Sequence, residues 1–127
     1  MSVRIEIRGQ KEVNKLLKDT ERGINKGVMD GMTKAALHMQ NEVKLSIAGR
    51  SAETRSVDTG RFLNSIGKQV LKDNAIIYSL VPYAKFLEYG TSRFVGRRHF
   101  TNSLARNKQV IAKILGEEVK SQVKSSI

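Results

Sequence analysis

The chain has 127 residues, 39% hydrophobic but only 6% aromatic and without tryptophan, so it has room for one domain with a thin core of Ile, Leu, Val, Met and Ala. It has no cysteine, which excludes disulfides, thiolate metal sites and a cysteine nucleophile. The 23 Lys and Arg against 12 Asp and Glu give a net charge of +11 and raise nucleic acid as a partner, yet the basic residues fall in short groups and the aromatics are too few for a base-stacking platform.

Residues 2–8 alternate Val3, Ile5 and Ile7 with Arg4, Glu6 and Arg8, the pattern of a half-buried strand. After Gly9 comes a long helical pattern in which Val13, Leu16, Leu17, Ile24, Val28, Met32, Ala35, Ala36, Met39, Val43 and Ile47 recur every three or four residues. Gly23, Gly27 and Gly31 stack on one stripe of it, each costing up to ~1 kcal/mol of helix propensity. Either a neighbouring backbone approaches along that stripe or the helix breaks near Gly23, and the break is the simpler reading. Residues 48–57 are polar and aperiodic, an exposed, mobile loop. Asp58 or Thr59 is placed to cap a short helix carrying Phe62, Leu63 and Ile66, which Gly67 ends.

Residues 68–71 and 75–81 flank Asp73-Asn74 as a β-hairpin, with Ile76, Tyr78 and Leu80 on one face of its second strand. Pro82 stops that strand, residues 83–90 suit one or two helical turns closed by a left-handed Gly90, and residues 91–98 form a basic loop. From His99 onward Phe100, Leu104, Ile111, Ile114, Leu115, Val119 and Val123 keep helical spacing. The expected fold is α+β: a small antiparallel sheet, from the N-terminal strand plus the hairpin, packed against a long N-terminal and a C-terminal helix. A core this thin is expected to be completed by oligomerisation.

No catalytic constellation emerges. His38 is read as lying opposite the best apolar stripe and His99 as opening the last helix, neither with a carboxylate or second histidine at ligand or triad spacing. Glu88 is assigned to a salt bridge with a nearby Lys or Arg. No phosphate-cradling glycine pattern occurs, and neither a metal nor a cofactor is expected. With no signal-peptide pattern at the start and no apolar run near the ~20 residues that span a bilayer, the chain is expected to be made in the cytoplasm without membrane contact.

Two stretches carry a resemblance. Val57-Asp58-Thr59-Gly60-Arg61-Phe62-Leu63-Asn64-Ser65-Ile66 resembles the D-T-G-x-L-x-x-S-I element of the head-tail joining, or tail-completion, proteins of tailed bacteriophages, the minor-tail-protein-Z-like group. Pro82-Tyr83-Ala84-Lys85-Phe86-Leu87-Glu88-Tyr89-Gly90-Thr91 is similar to that family's Y-A-x-x-x-E-x-G-T. Their order and spacing extend the resemblance over nearly the whole chain. One departure follows the second stretch, where Arg98-His99-Phe100-Thr101-Asn102-Ser103-Leu104-Ala105 stands in place of the family's Arg-Pro-Phe-Leu-x-Pro-Ala and lacks both prolines.

The resemblance implies a non-enzymatic virion subunit of the phage neck, joining a DNA-filled head to the tail as a ring compatible with six-fold symmetry. Its partners would be further copies of itself, the head connector or stopper proteins, the tail terminator or tail-tube proteins, and genomic DNA in the lumen. Asp58, Thr59, Gly60, Ser65, Tyr83, Ala84, Glu88, Gly90 and Thr91 match the motifs and are read as mainly structural, Tyr83 and Phe86 as packing the short turn. Arg50, Arg55, Arg93, Arg97 and Arg98 are the candidate partner contacts. A basic nucleic-acid-binding protein is the alternative function.

Overall fold

The computed structural model describes residues 3–8, 21–57, 60–71 and 74–125. Strand β1 (Val3–Arg8) is followed by helix α1 (Glu21–Ile47), a single short turn α2 (Arg61–Asn64), strands β2 (Gly67–Val70) and β3 (Asn74–Ser79), the short helix α3 (Ala84–Tyr89) and the long helix α4 (His99–Ser125). The fold is α+β. Its three strands run in the order β1-β3-β2, each pair antiparallel, so the hairpin's second strand is the centre of the sheet and the N-terminal strand closes it.

Register decides which face is core. Val3, Ile5 and Ile7 stand opposite Ser79, Ile77 and Ala75, and these residues form the face that α1 and α4 cover, α1 over β2 and β3 and α4 beside β1. Ile76 and Tyr78 lie on the sheet's other face, while Leu80 falls beyond the strand and is exposed. Tyr78 stands directly across from Gly67, where a Cβ would come within 2.6 Å of the tyrosine Cζ. Gly67 therefore begins β2 beneath an aromatic ring rather than ending the preceding helix, which stops at Asn64.

Helix α1 buries Met32, Ala35, Ala36, Met39, Val43 and Ile47 completely, and α4 answers with Phe100, Ile111, Leu115 and Val119. The described helix begins at Glu21 and includes Gly23, and the segment before it, where a short helix would meet this one, lies outside the described residues; the other explanation of the glycine stripe holds at its two C-terminal members. A Cβ on Gly27 would sit 2.8 Å from the Val119 Cα, and one on Gly31 3.0 Å from the Leu115 side chain. The stripe lets the backbone of α4 approach. Among the described residues no helix is long and apolar enough to cross a membrane.

A paired substitution measures what this contact contributes. Gly27→Ala gains helix propensity but forces the two helix backbones apart, and is expected to destabilise by about 2 kcal/mol net. Gly116→Ala, where a Cβ would meet nothing within 4 Å, is expected to stabilise by up to ~1 kcal/mol. Urea denaturation of the two variants reads the opposite signs.

Candidate functional site

The stripe that α1 turns to the core is not wholly apolar. Ser46 occupies it between Val43 and Ile47 and is fully buried, as are His99 and Ser103 at the start of α4. Buried hydroxyls and imidazoles need partners, and these supply one another. Ser46 Oγ lies 2.5 Å from Glu53 Oε1 and 2.7 Å from His99 Nδ1. Ser56 Oγ lies 2.7 Å from His99 Nε2 and accepts from Arg97 Nη1 at 2.7 Å.

The carboxylate fixes the direction of this chain. Glu53 only accepts, so Ser46 donates to it and accepts the Nδ1 proton of His99, which leaves Nε2 bare to accept from Ser56. Neutral His99 satisfies every member. Burial, first of all, holds its imidazolium below the ordinary 6.5; Glu88 and Glu53 oppose that shift, and Arg97 and Arg106 reinforce it. Glu53 in turn takes a two-pronged bond from Arg106, at 2.6 and 2.7 Å, and a bond from Asn102 at 3.2 Å. The Arg106 guanidinium is the main reason that its carboxyl is pulled from 4.5 down to about 2, with Ser46 and Asn102 adding to it against the cost of burial.

This network corrects the reading of residues 48–57 as a mobile loop. Gly49, Arg50, Ala52, Thr54 and Arg55 are exposed, but the Glu53 side chain, 3% accessible, is buried against α4, and the Ser56 amide donates to the Ile47 carbonyl at 2.7 Å. A Cβ on Gly49, at φ +78°, would fall 2.7 Å from the Arg55 side chain. The segment is fastened to both long helices.

Glu88 is also not the salt-bridging residue expected of it. It is 1% exposed, and its carboxylate accepts from the amides of Phe100 and Thr101 at 2.9 Å each and from the Thr101 hydroxyl at 2.6 Å. It caps the N-terminus of α4 from a different helix, where unpaired N–H groups and the helix dipole favour negative charge. The backbone around it is tight. Arg97 N donates to Leu87 O at 2.6 Å and Arg98 N to Glu88 O at 3.2 Å, with Arg98 at φ +53°. Gly90 has the expected positive φ, +86°, but with ψ 178° it is extended rather than left-handed helical, and a Cβ there would lie 2.5 Å from Gly96 N.

Between the two motif stretches lies a cleft of about 450 Å³, lined by Arg55, Ser56, Val57, Gly60, Arg61, Phe62, Tyr83, Leu87 and Arg97. The stretches meet edge to face, Phe62 against Tyr83 at 6.2 Å, with the Arg61 guanidinium 5.9 Å over the tyrosine ring. Leu87 and Arg97 also line a second groove, shared with Glu53, Thr54, Phe94 and Val95, so the two hollows form one face. No protein-family model, curated protein or solved structure matches the chain. Among the described residues no group of three His, Cys, Asp or Glu is placed to hold a metal ion.

The five candidate contact arginines do not form one patch. Arg55 and Arg97 come together at the cleft, whereas exposed Arg50 borders a separate groove with Asn41, Lys44 and Leu45. Arg93 and Arg98 are exposed on the loop after α3, where the Arg93 amide donates to Thr91 Oγ1 at 3.1 Å. Among the motif residues, Asp58 and Thr59, with their expected cap, lie outside the described residues; Gly60, at φ +83°, leads into α2. Ser65 donates to Phe62 O at 2.6 Å and pairs with Ser79 Oγ, and Ala84 is fully buried. Tyr83 and Phe86, expected to pack the turn, are largely exposed, though Tyr83 keeps its edge contact with Phe62.

His38 is not turned away from the core. It sits half-buried at the flank of α1, its Nε2 2.8 Å from Asn107 Oδ1 of α4, and Asn107 donates onward to Ser103 O at 2.8 Å. The residues that sequence reasoning passed over are Ser46, Glu53, Ser56 and Arg106. A signal existed for Ser46, because it holds the phase of Val43 and Ile47 on an otherwise apolar stripe.

Proposed function

We propose that the chain is a structural, non-enzymatic subunit of a tailed-phage neck, made in the bacterial host cytoplasm and built into the virion between head and tail. Its role is to join the DNA-filled head to the tail as one subunit of a ring, contacting the head connector or stopper on one side and the tail terminator or tail tube on the other. The resemblance of the two motif stretches supports the family. The observation that carries a binding role is the surface around them: Leu80, Tyr83, Phe86, Tyr89, Phe94 and Val95 are all exposed within one short segment, Val95 by 88%, and Arg93 and Lys85 are exposed among them. Exposed aromatic side chains interspersed with cations have the composition of a protein interface.

The same charge that suits an acidic neighbour also suits duplex DNA passing through a ring. Electron microscopy of a phage whose copy of this gene carries an early stop codon tests the joining role directly. Filled heads lying apart from finished tails are expected. Complete infectious virions would overturn the proposal and favour a free nucleic-acid-binding protein.

A further inference from the structure

Some of the described cations are answered by nearby carboxylates. Lys34 pairs with Glu118, Arg106 with Glu53, and Arg4 and Arg8 with Glu6. The cleft between the motif stretches is lined by Arg55 and Arg97 as well as Arg61. No described residue forms an ion pair with Arg55 or Arg97. Arg97 is nevertheless held in place, because its Nη1 donates to the Arg55 carbonyl at 3.0 Å and to Ser56 Oγ at 2.7 Å. Ser56 is fixed in turn by His99. Like charges gathered in a hollow repel one another, and a guanidinium fork positioned by neutral acceptors is ready for a planar anion.

We propose that this cleft binds an acidic segment of a partner protein, with a carboxylate received by Arg55 and Arg97 and a flanking apolar side chain set against Val57, Leu87 and Tyr83. Size and wall chemistry select the occupant. A half-open hollow of about 450 Å³ admits one or two side chains but not a duplex, and phosphodiester backbone would leave its apolar walls uncovered. A second copy seated in this cleft would have to present one of its few carboxylates, 12 Asp and Glu against 23 Lys and Arg, so an acidic partner is the better match here. The exposed rings of Phe86 and Tyr89 extend the apolar surface along α3, the route for the rest of the segment. This names the partner chemistry for the joining role and rests on that reading only for where the partner comes from.

The test is an NMR titration of the full-length, nitrogen-15-labelled chain with the blocked peptide acetyl-Leu-Glu-Glu-Phe-amide. Saturable shifts are expected at the Ser56, Arg61, Leu87 and Arg97 amides and at the Arg55 and Arg97 side-chain resonances, with a dissociation constant on the order of 100 µM. The Gln-for-Glu version of the peptide should bind at least about tenfold more weakly, the loss of one charge-assisted bidentate contact. The double variant Arg55→Gln, Arg97→Gln should abolish the shifts while Lys113→Gln, at an exposed position on α4 away from the cleft, leaves them. Because Arg97→Gln also loosens Ser56, Arg55→Gln alone, at an exposed side chain, is the second variant and should weaken binding by a factor of at least ~3.

Absence of localised, saturable shifts on the folded protein would overturn the proposal. So would a twelve-base-pair duplex that shifts the same cleft resonances more tightly than the peptide, which would make the cleft a phosphodiester site. A null titration alongside separated heads and tails in the stop-codon phage sinks the cleft and leaves the neck reading standing. Localised binding alongside complete virions does the reverse.

Discussion

Glu88→Ala is expected to lower the thermal unfolding midpoint by about 10–15 °C, the largest effect of any single side-chain truncation on this face. The carboxylate is almost wholly buried and receives three hydrogen bonds, from Phe100 N, Thr101 N and Thr101 Oγ1. Removing it leaves those donors without acceptors in a site from which water is excluded, and removes negative charge from the dipole of a 27-residue helix. Each charge-assisted bond contributes roughly 1.5 kcal/mol or more, so a loss of about 3–4 kcal/mol is expected after relaxation. Glu88→Gln is not conservative here. The two carboxylate oxygens face separate N–H groups, and a glutamine amide would set its own NH₂ against one of them, so about half of the alanine effect is expected to remain. Calorimetry of both variants checks the ranking, and a glutamine variant with the parent's midpoint would show that charge and double acceptance are not what Glu88 supplies.

The parts of the molecule legible in the sequence are those set by local periodicity. Val3, Ile5 and Ile7 announce β1 because side chains in a strand alternate, and the stripes from Val28 to Ile47 and from Phe100 to Val119 announce the long helices. Periodicity does not say which stripe meets which. That is why Gly27 and Gly31 left two explanations open until α4 was seen against them. The same limit hid the polar network, because His99 takes its partners from Ser46 and Ser56, 53 and 43 residues away, where no spacing rule reaches.

Glu88 is intermediate, since its partners lie only 12 and 13 residues ahead, but the chain between must double back through Gly90 and Gly96 for the contact to form. A short carboxylate-to-helix connection of this kind is invisible to a reading that assigns charges to the nearest opposite charge. The first of the two prolines absent from residues 98–105 also has a physical counterpart. His99 is the first residue of α4, a position where proline's absent N–H is tolerated and its fixed φ is favourable. The imidazole that stands there instead gives up that rigidity and joins α1, α4 and residues 53–56 through hydrogen bonds.

Acid should therefore undo this junction in two stages. Burial holds His99 below 6.5, so the unfolded chain takes up a proton that the folded chain refuses, and stability falls as the pH drops below about 6.5. Glu53 acts further down. Its folded carboxyl titrates at about 2 against 4.5 when free, so its contribution is complete above pH 4.5 and is lost between there and about pH 2. That second stage amounts to at most about 3 kcal/mol, a large part of the stability of a domain this size.

Urea midpoints measured from pH 8 to pH 2.5 are expected to show both declines, with Glu53→Gln flattening the lower one while lowering stability at pH 7. His99→Asn should remove the upper decline alone. Protonating His99 makes Nε2 a donor facing the Ser56 hydroxyl, which must then turn its own hydrogen elsewhere, and the Thr54 carbonyl at 3.4 Å is the acceptor within reach. Ser56 also orients Arg97, so the first stage should loosen the cleft before the fold is lost. A midpoint that stays level from pH 7 to pH 5 in the parent chain would show that His99 is as readily protonated folded as unfolded, and that the directional chain from Arg97 to Glu53 does not hold it neutral.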